Sequence, residues 1–198
     1  MRRQQGVAAM ALASLLASLP AHAASYRIDP AETMASFETW FLGVMPIRGE
    51  FRHTAGTLAF DRETQLGSIE VIIETGSVVA PLASVQAYAR SPGFFNVAKF
   101  PFMTFRSTRF VLDEKRLATI EGMLTMVGLS HPVILTVRKT HCAAASSVAL
   151  AQCNAEADLT LQRSVFGMTG WANSVGDDVT IRLAIVAKAA TIAEAVKP

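Results

Sequence analysis

Along most of this chain, hydrophobic and polar residues alternate with a period of two. Thr33–Leu42 places Ala35, Phe37, Thr39 and Phe41 on one face and Ser36, Glu38 and Trp40 on the other, the pattern of a half-buried strand. Ile47, Gly49 and Phe51 share a face beyond Pro46, and Leu58 and Phe60 resume it after Gly56. Ile69, Val71 and Ile73 then oppose Glu70 and Glu74. Ser25–Pro30 reads as a short first strand, and Asp61–Gly67 as a turn. Pro81–Arg90 is the one convincing helix, with proline at its start. It leads into Ser91–Ser107, where Phe94, Phe95, Phe100, Phe102 and Phe105 crowd together. Pro92-Gly93 and Pro101 make the first half of that stretch a loop. From Phe102 it becomes a strand with Met103, Phe105 and Ser107 on one face.

Farther along, Ala118–Met126 and Val133–Val137 predict two strands around a turn at Gly128–Pro132. Asp158–Arg163 and Val179–Lys188 supply the last two, the latter with Val179, Ile181, Leu183 and Ile185 aligned. About eight alternating segments, short turns and one short helix describe an all-β antiparallel barrel or sandwich. Connection mostly in sequence favours an up-and-down eight-stranded barrel, which has no free edge. Its interior is filled by side chains or holds one small ligand. The strand faces point Phe37, Phe41, Phe51, Phe60, Val71, Ile73, Phe105, Leu124, Leu135, Phe166 and Leu183 inward. Phe94 and Phe95 are expected to cover one end as a flexible aromatic gate; the plainer reading is a plug over an ordinary core.

The N-terminus changes where this barrel is expected to work. Arg2-Arg3, an apolar run from Val7 to Leu19, and Ala21-His22-Ala23 form the three parts of a secretory signal. Cleavage after Ala23 is expected, with residues 24–190 the barrel domain and 191–198 a frayed tail. The apolar run is too short to span a bilayer comfortably, and no later stretch reaches that length. The full chain has 18 basic and 16 acidic residues, and loss of Arg2 and Arg3 leaves 16 of each. That balance argues against a general nucleic-acid or anionic-membrane binder. In an oxidising compartment Cys142 and Cys153 are expected to pair across the loop between them. A metal-binding reading lacks a second ligand pair, since His141 beside Cys142 is not enough.

No catalytic constellation stands out. The chain lacks a G-x-S-x-G elbow, an H-E-x-x-H helix, a P-loop and a dinucleotide glycine fingerprint. His53 and His131 read as solvated turn residues, and Asp177-Asp178 as a turn, because neighbours on a strand face opposite ways. Arg163-Ser164 and Arg106 are the polar groups best placed to approach a pocket.

Six segments together carry a resemblance: YRIDP at 26–30, SFETWFLG at 36–43, IRGEF at 47–51 followed by GTLAFD at 56–61, SPGFFNVAKFPFMTFRST at 91–108, EGMLTMVGLSHPVILTV at 121–137 and QRSVFGM at 162–168. In this order they resemble the YceI-like proteins over nearly the whole exported chain. The resemblance implies a lipocalin-like barrel around an apolar channel, with a polyisoprenoid or other long-chain lipid as ligand and no further cofactor. Where family members often carry histidines this chain has Glu32 and Phe41, and where they carry an acid it has Gly93. The expected function is a periplasmic lipid-binding protein and not an enzyme. The alternatives are an enzyme acting on a lipid-like substrate in the same cavity, or a quinone-carrying accessory to a membrane redox protein. A transient membrane-protein partner and a dimer both stay open.

Overall fold

The alternating segments become strands, and the strands close on themselves. The computed structural model describes residues 24–61, 64–114, 116–143 and 151–189. The expected signal segment at 1–23, the expected tail at 191–198 and residues 144–150 between Cys142 and Cys153 lie outside these residues. The strands are β1 (Ala24–Ile28), β2 (Met34–Phe41), β3 (Met45–Phe51), β4 (Thr54–Phe60), β5 (Gly67–Glu74) and β6 (Val78–Val79). After helix α1 (Ala83–Arg90) come β7 (Phe102–Asp113), β8 (Arg116–Met126), β9 (Leu129–Ala143), β10 (Gln152–Gln162) and β11 (Asp178–Ala189).

Their pairing is a meander with two broken staves. β1 and β2 lie along successive parts of β11, while β4 and β3 pair with β1 and β2 in turn. Each couple therefore acts as one bent stave, and with β5 and β7 to β11 the barrel has eight antiparallel staves. Closure comes where Tyr26 meets Ala189 and Ile28 meets Ala187. At the break between β1 and β2, the Thr33 hydroxyl exchanges hydrogen bonds with the Val186 backbone, with its oxygen 3.1 Å from the amide and 3.3 Å from the carbonyl. A side chain thus stands in for the missing ladder partner.

Two features differ from the pattern read off the chain. The turn expected at Gly128–Pro132 is only Val127-Gly128, both with positive φ (52° and 79°), and β9 begins at Leu129. Pro132 is tolerated inside β9 because that end of the strand pairs with β8 alone; β10 joins from Thr136 onward. A register shift between Ser107 and Arg109 also reverses the parity of β7. Met103 and Phe105 point inward before it, and Phe110 is buried after it.

Candidate functional site

The inward faces of β2 and β3 build one wall of a chamber at the α1 end of the barrel. Phe37, Thr39 and Phe41 stand beside Met45, Ile47 and Phe51, every second residue of a hairpin. Across from them, Ser84, Val85, Tyr88 and Ala89 of α1 recur at one helical face. Met103, Met126, Leu161, Val179 and Ile181 reach in from β7, β8, β10 and β11. The loop at 168–175 adds Met168, Trp171 and Val175. The enclosed volume is about 270 Å³. Phe51, Met103 and Ile181 also face a second, smaller space of about 80 Å³ deeper in the barrel, among Ala35, Phe105, Leu135 and Leu183.

Among the described residues lining the upper chamber, Arg163 alone carries a charge. Its side chain is buried, and it donates to the carbonyls of Gly176 (2.9 Å), Met168 (2.6 Å), Gly170 (2.9 Å) and Val175 (2.9 Å). Burial pushes its pKa down and nearby Asp177 opposes that, but a guanidinium stays protonated. Four carbonyls of one loop on one guanidinium make Arg163 the clamp that shapes the 168–176 wall. Asp177 in turn accepts from the Ser164 amide (2.8 Å) and hydroxyl (2.7 Å).

The aromatic loop packs against the chamber wall. Phe95 is buried, with its ring edge-on to Phe51 at 5.2 Å and to Phe37 at 5.9 Å. Phe94 lies under the Arg163 guanidinium, 5.5 Å from its ring centroid. Its backbone is stitched by Phe95 N–H to Ala89 and Asn96 N–H to Ser91, each 3.0 Å, and by Gly170 N–H to Gly93 at 2.8 Å. A Cβ on Gly93 would lie 3.0 Å from the Gly170 Cα, so an acidic side chain there would require the facing 170 loop to move back by a few tenths of an ångström. Edge-on ring packing and the cation above the ring seat both phenylalanines against the chamber wall, at the end where they were expected to form a gate.

The other sequence-derived positions divide between the two spaces. Phe37 and Phe41 line the upper chamber; Val71, Ile73, Phe105, Leu124, Leu135 and Leu183 line the lower one; Phe51 faces both. Phe60 and Phe166 touch neither: Phe60 packs near Phe110 at 6.4 Å, and Phe166 sits edge-on to His131 at 5.1 Å. They are core residues at other places in the wall. His53 is exposed and lies 2.7 Å from Glu74, while Arg106 is exposed and paired with Glu70. Cys142 and Cys153 form a disulfide between register partners of β9 and β10. Met168, Trp171 and Val175 were not read as lining from sequence, because a loop has no periodicity to point them inward. The helical spacing of Ser84, Val85, Tyr88 and Ala89 was the signal that could have found the α1 face.

Comparison with known proteins follows the same outline. A model of the YceI-like domain matches residues 26–187. A UPF0312 protein of Azotobacter vinelandii is 34% identical over 136 residues, 67% of this chain and 71% of its own length. Protein YceI of Salmonella arizonae is 37% identical over 131 residues, 64% of this chain and 68% of its own. Among solved structures, BcnA of Burkholderia cenocepacia superposes with a TM-score of 0.63 at 21% identity, covering 83% of this chain and 99% of that one. A polyisoprenoid binding domain from Saccharophagus degradans does so with 0.59 at 12%, covering 84% and 99%. At these identities the two structures speak to the fold.

Proposed function

The chain belongs to the YceI-like family, and from that premise we propose that it is an exported protein that holds one long-chain apolar lipid, a polyisoprenoid or isoprenoid quinone, inside its barrel. The observation that carries this reading is the apolar chamber and the apolar space beside it, which share Phe51, Met103 and Ile181 in their linings. Each buried methylene contributes roughly 0.8 kcal/mol, so a few prenyl units reach about 10 kcal/mol before ordering costs offset much of it. Met45, Met103, Met126 and Met168 line the upper chamber. Unbranched and adaptable, methionine walls give way to a chain of varying shape better than β-branched ones. Such a lining gives affinity with little chemical selectivity, so channel length decides which lipid fits. Binding is favoured over catalysis because the lining presents a single charged group, and that group is already engaged by backbone carbonyls.

Native mass spectrometry and solvent extraction of protein purified after export test this directly. The expected result is one long-chain lipid per barrel. A barrel that emerges empty and refuses added polyprenyl and acyl lipids would sink the idea. Ala35 lines the deeper space and is 1% exposed. Ala35→Trp is expected to fill that space and shift the bound population toward shorter chains, with the strand signal in circular dichroism retained. An unchanged chain-length profile would place the ligand elsewhere.

A further inference from the structure

Charge surrounds the barrel wall but stops at the chamber's rim. Three rim segments, 39–47, 80–89 and 168–176, contain no Asp, Glu, Lys, Arg or His. Charge resumes just beyond them, at Glu38, Arg48, Arg90 and Asp177. In place of charge the rim exposes apolar side chains: Leu42 is 62% exposed, Val44 77%, Met45 56%, Trp171 51% and Tyr88 48%. The segments meet around the opening. The Leu42 amide donates to the Ser174 carbonyl at 2.6 Å, and the Trp171 ring lies 6.3 Å from Phe41 and 5.0 Å from Tyr88.

We propose that this uncharged rim docks the open end of the barrel on a lipid bilayer, with the turn at 42–44 and Trp171 entering the boundary between headgroups and acyl chains. Shape and composition favour a bilayer over a protein partner. Leu42 and Val44 stand on a turn with left-handed backbone at Leu42 and Gly43 (φ 52° and 70°), a protrusion that a soft interface accepts. Trp171 and Tyr88 beside them match the aromatic belt found at membrane boundaries. The three segments carry no charge with which to orient a protein partner, and protein interfaces draw on arginine for that purpose. Docked in this way, the chamber opens toward the membrane, and a lipid chain passes into it without crossing water. That last step rests on the lipid-binding reading above; the docking surface itself does not.

The test is flotation of the exported protein with phosphatidylcholine vesicles, at low and high salt. The protein is expected to float with the vesicles, and to do so independently of salt because no charge is involved. Leu42→Asp with Val44→Asp, and the neutral pair Leu42→Asn with Val44→Ser, are each expected to weaken vesicle binding by roughly a hundredfold. Neither residue lines the chamber, and Asp or Asn suits the left-handed Leu42 position at least as well as leucine. Lipid content and thermal stability of both pairs are expected to match the parent. Failure of the parent to float, flotation of both variant pairs at the parent's level, or flotation abolished by salt would each overturn the proposal. So would a dimer in sedimentation that both pairs dissociate, which would assign the rim to a second copy. Protein that carries lipid yet ignores vesicles overturns docking alone. Protein that floats yet neither carries nor accepts lipid overturns the lipid-binding reading and leaves docking standing.

Discussion

Buried polar groups in this barrel fall into two kinds, and the difference sets what a substitution does. Arg163 is buried with carbonyl partners on each of its three nitrogens. Thr54 is 1% exposed, and its hydroxyl has no hydrogen-bond partner among the described residues. A buried orphan hydroxyl carries a desolvation cost with nothing to offset it. Thr54→Val keeps the shape and the β-branched preference for a strand while removing that group. It is expected to raise stability by about 1 kcal/mol in denaturant titration, and a loss of similar size would mean the hydroxyl is satisfied in solution. Phe105 presents a different balance. Its ring covers Gly122, where an added Cβ would lie 2.5 Å from it, and it also borders the deeper space. Phe105→Ala is expected to cost about 3 kcal/mol, the low end for such a truncation, because part of the ring already faces a void. With lipid bound the loss should shrink as the chain fills the gap. Equal losses in loaded and extracted protein would show that the ligand stops above Phe51.

Among the elements, the β9–β10 hairpin is held at its far end by Cys142–Cys153, with Cα atoms 4.0 Å apart across the ladder. The sequence separation is 11, for which a chain-entropy account gives about 3 kcal/mol. Replacing both cysteines with serine is expected to lower unfolding free energy by that amount and leave extracted lipid unchanged, since neither residue lines a chamber. Lost lipid in a folded variant would tie this hairpin to the site. The pairing of these cysteines was legible in the chain, and so were the staves whose alternation is unbroken, β2, β5 and β11 among them. What alternation could not carry was geometry set by neighbours. A bulge after Ser107 exchanged the faces of β7 and hid the burial of Phe110. Pro132 read as a turn because its acceptability depends on which strand lies beside it, and that is a tertiary fact. Nothing local announces that Arg163, remote in sequence, sits over the Phe94 ring. Phe60 and Phe166 shared the inward-facing pattern with true lining residues, and only the shape of the lumen separates them.

Over the whole molecule, the outer wall is laced by cross-strand ion pairs. Glu70 and Arg106 are direct register partners on β5 and β7, as are Glu38 and Arg48 on β2 and β3, and Glu121 and Arg109 on β8 and β7. Arg138 pairs with Asp158 across β9 and β10, and Lys188 holds both Asp29 and Glu32 beside the closing seam. The arginine hydrogen bonds hold Glu38, Glu121 and Asp158 below the usual carboxylate range, and the Lys188 ammonium does the same for Asp29. A carboxylate with a depressed folded pKa adds stability that is complete above its unfolded value and lost as pH falls through the folded one. Lys188, Arg109 and Arg138 are shifted upward by the same bonds, so their contribution is complete at neutral pH and is lost only in strong alkali. Melting temperature is therefore expected to be level through the neutral range and to fall below about pH 4, where the four carboxylates protonate together. Exposed pairs are individually weak and screened by salt, so the acid limb should become shallower as ionic strength rises. The double variant Glu121→Gln with Asp158→Asn removes two of these groups and should flatten the same limb while leaving lipid content unchanged. A melting temperature level down to pH 2 in the parent would mean that the ion pairs contribute nothing, and that apolar packing and the barrel ladder alone hold the staves closed.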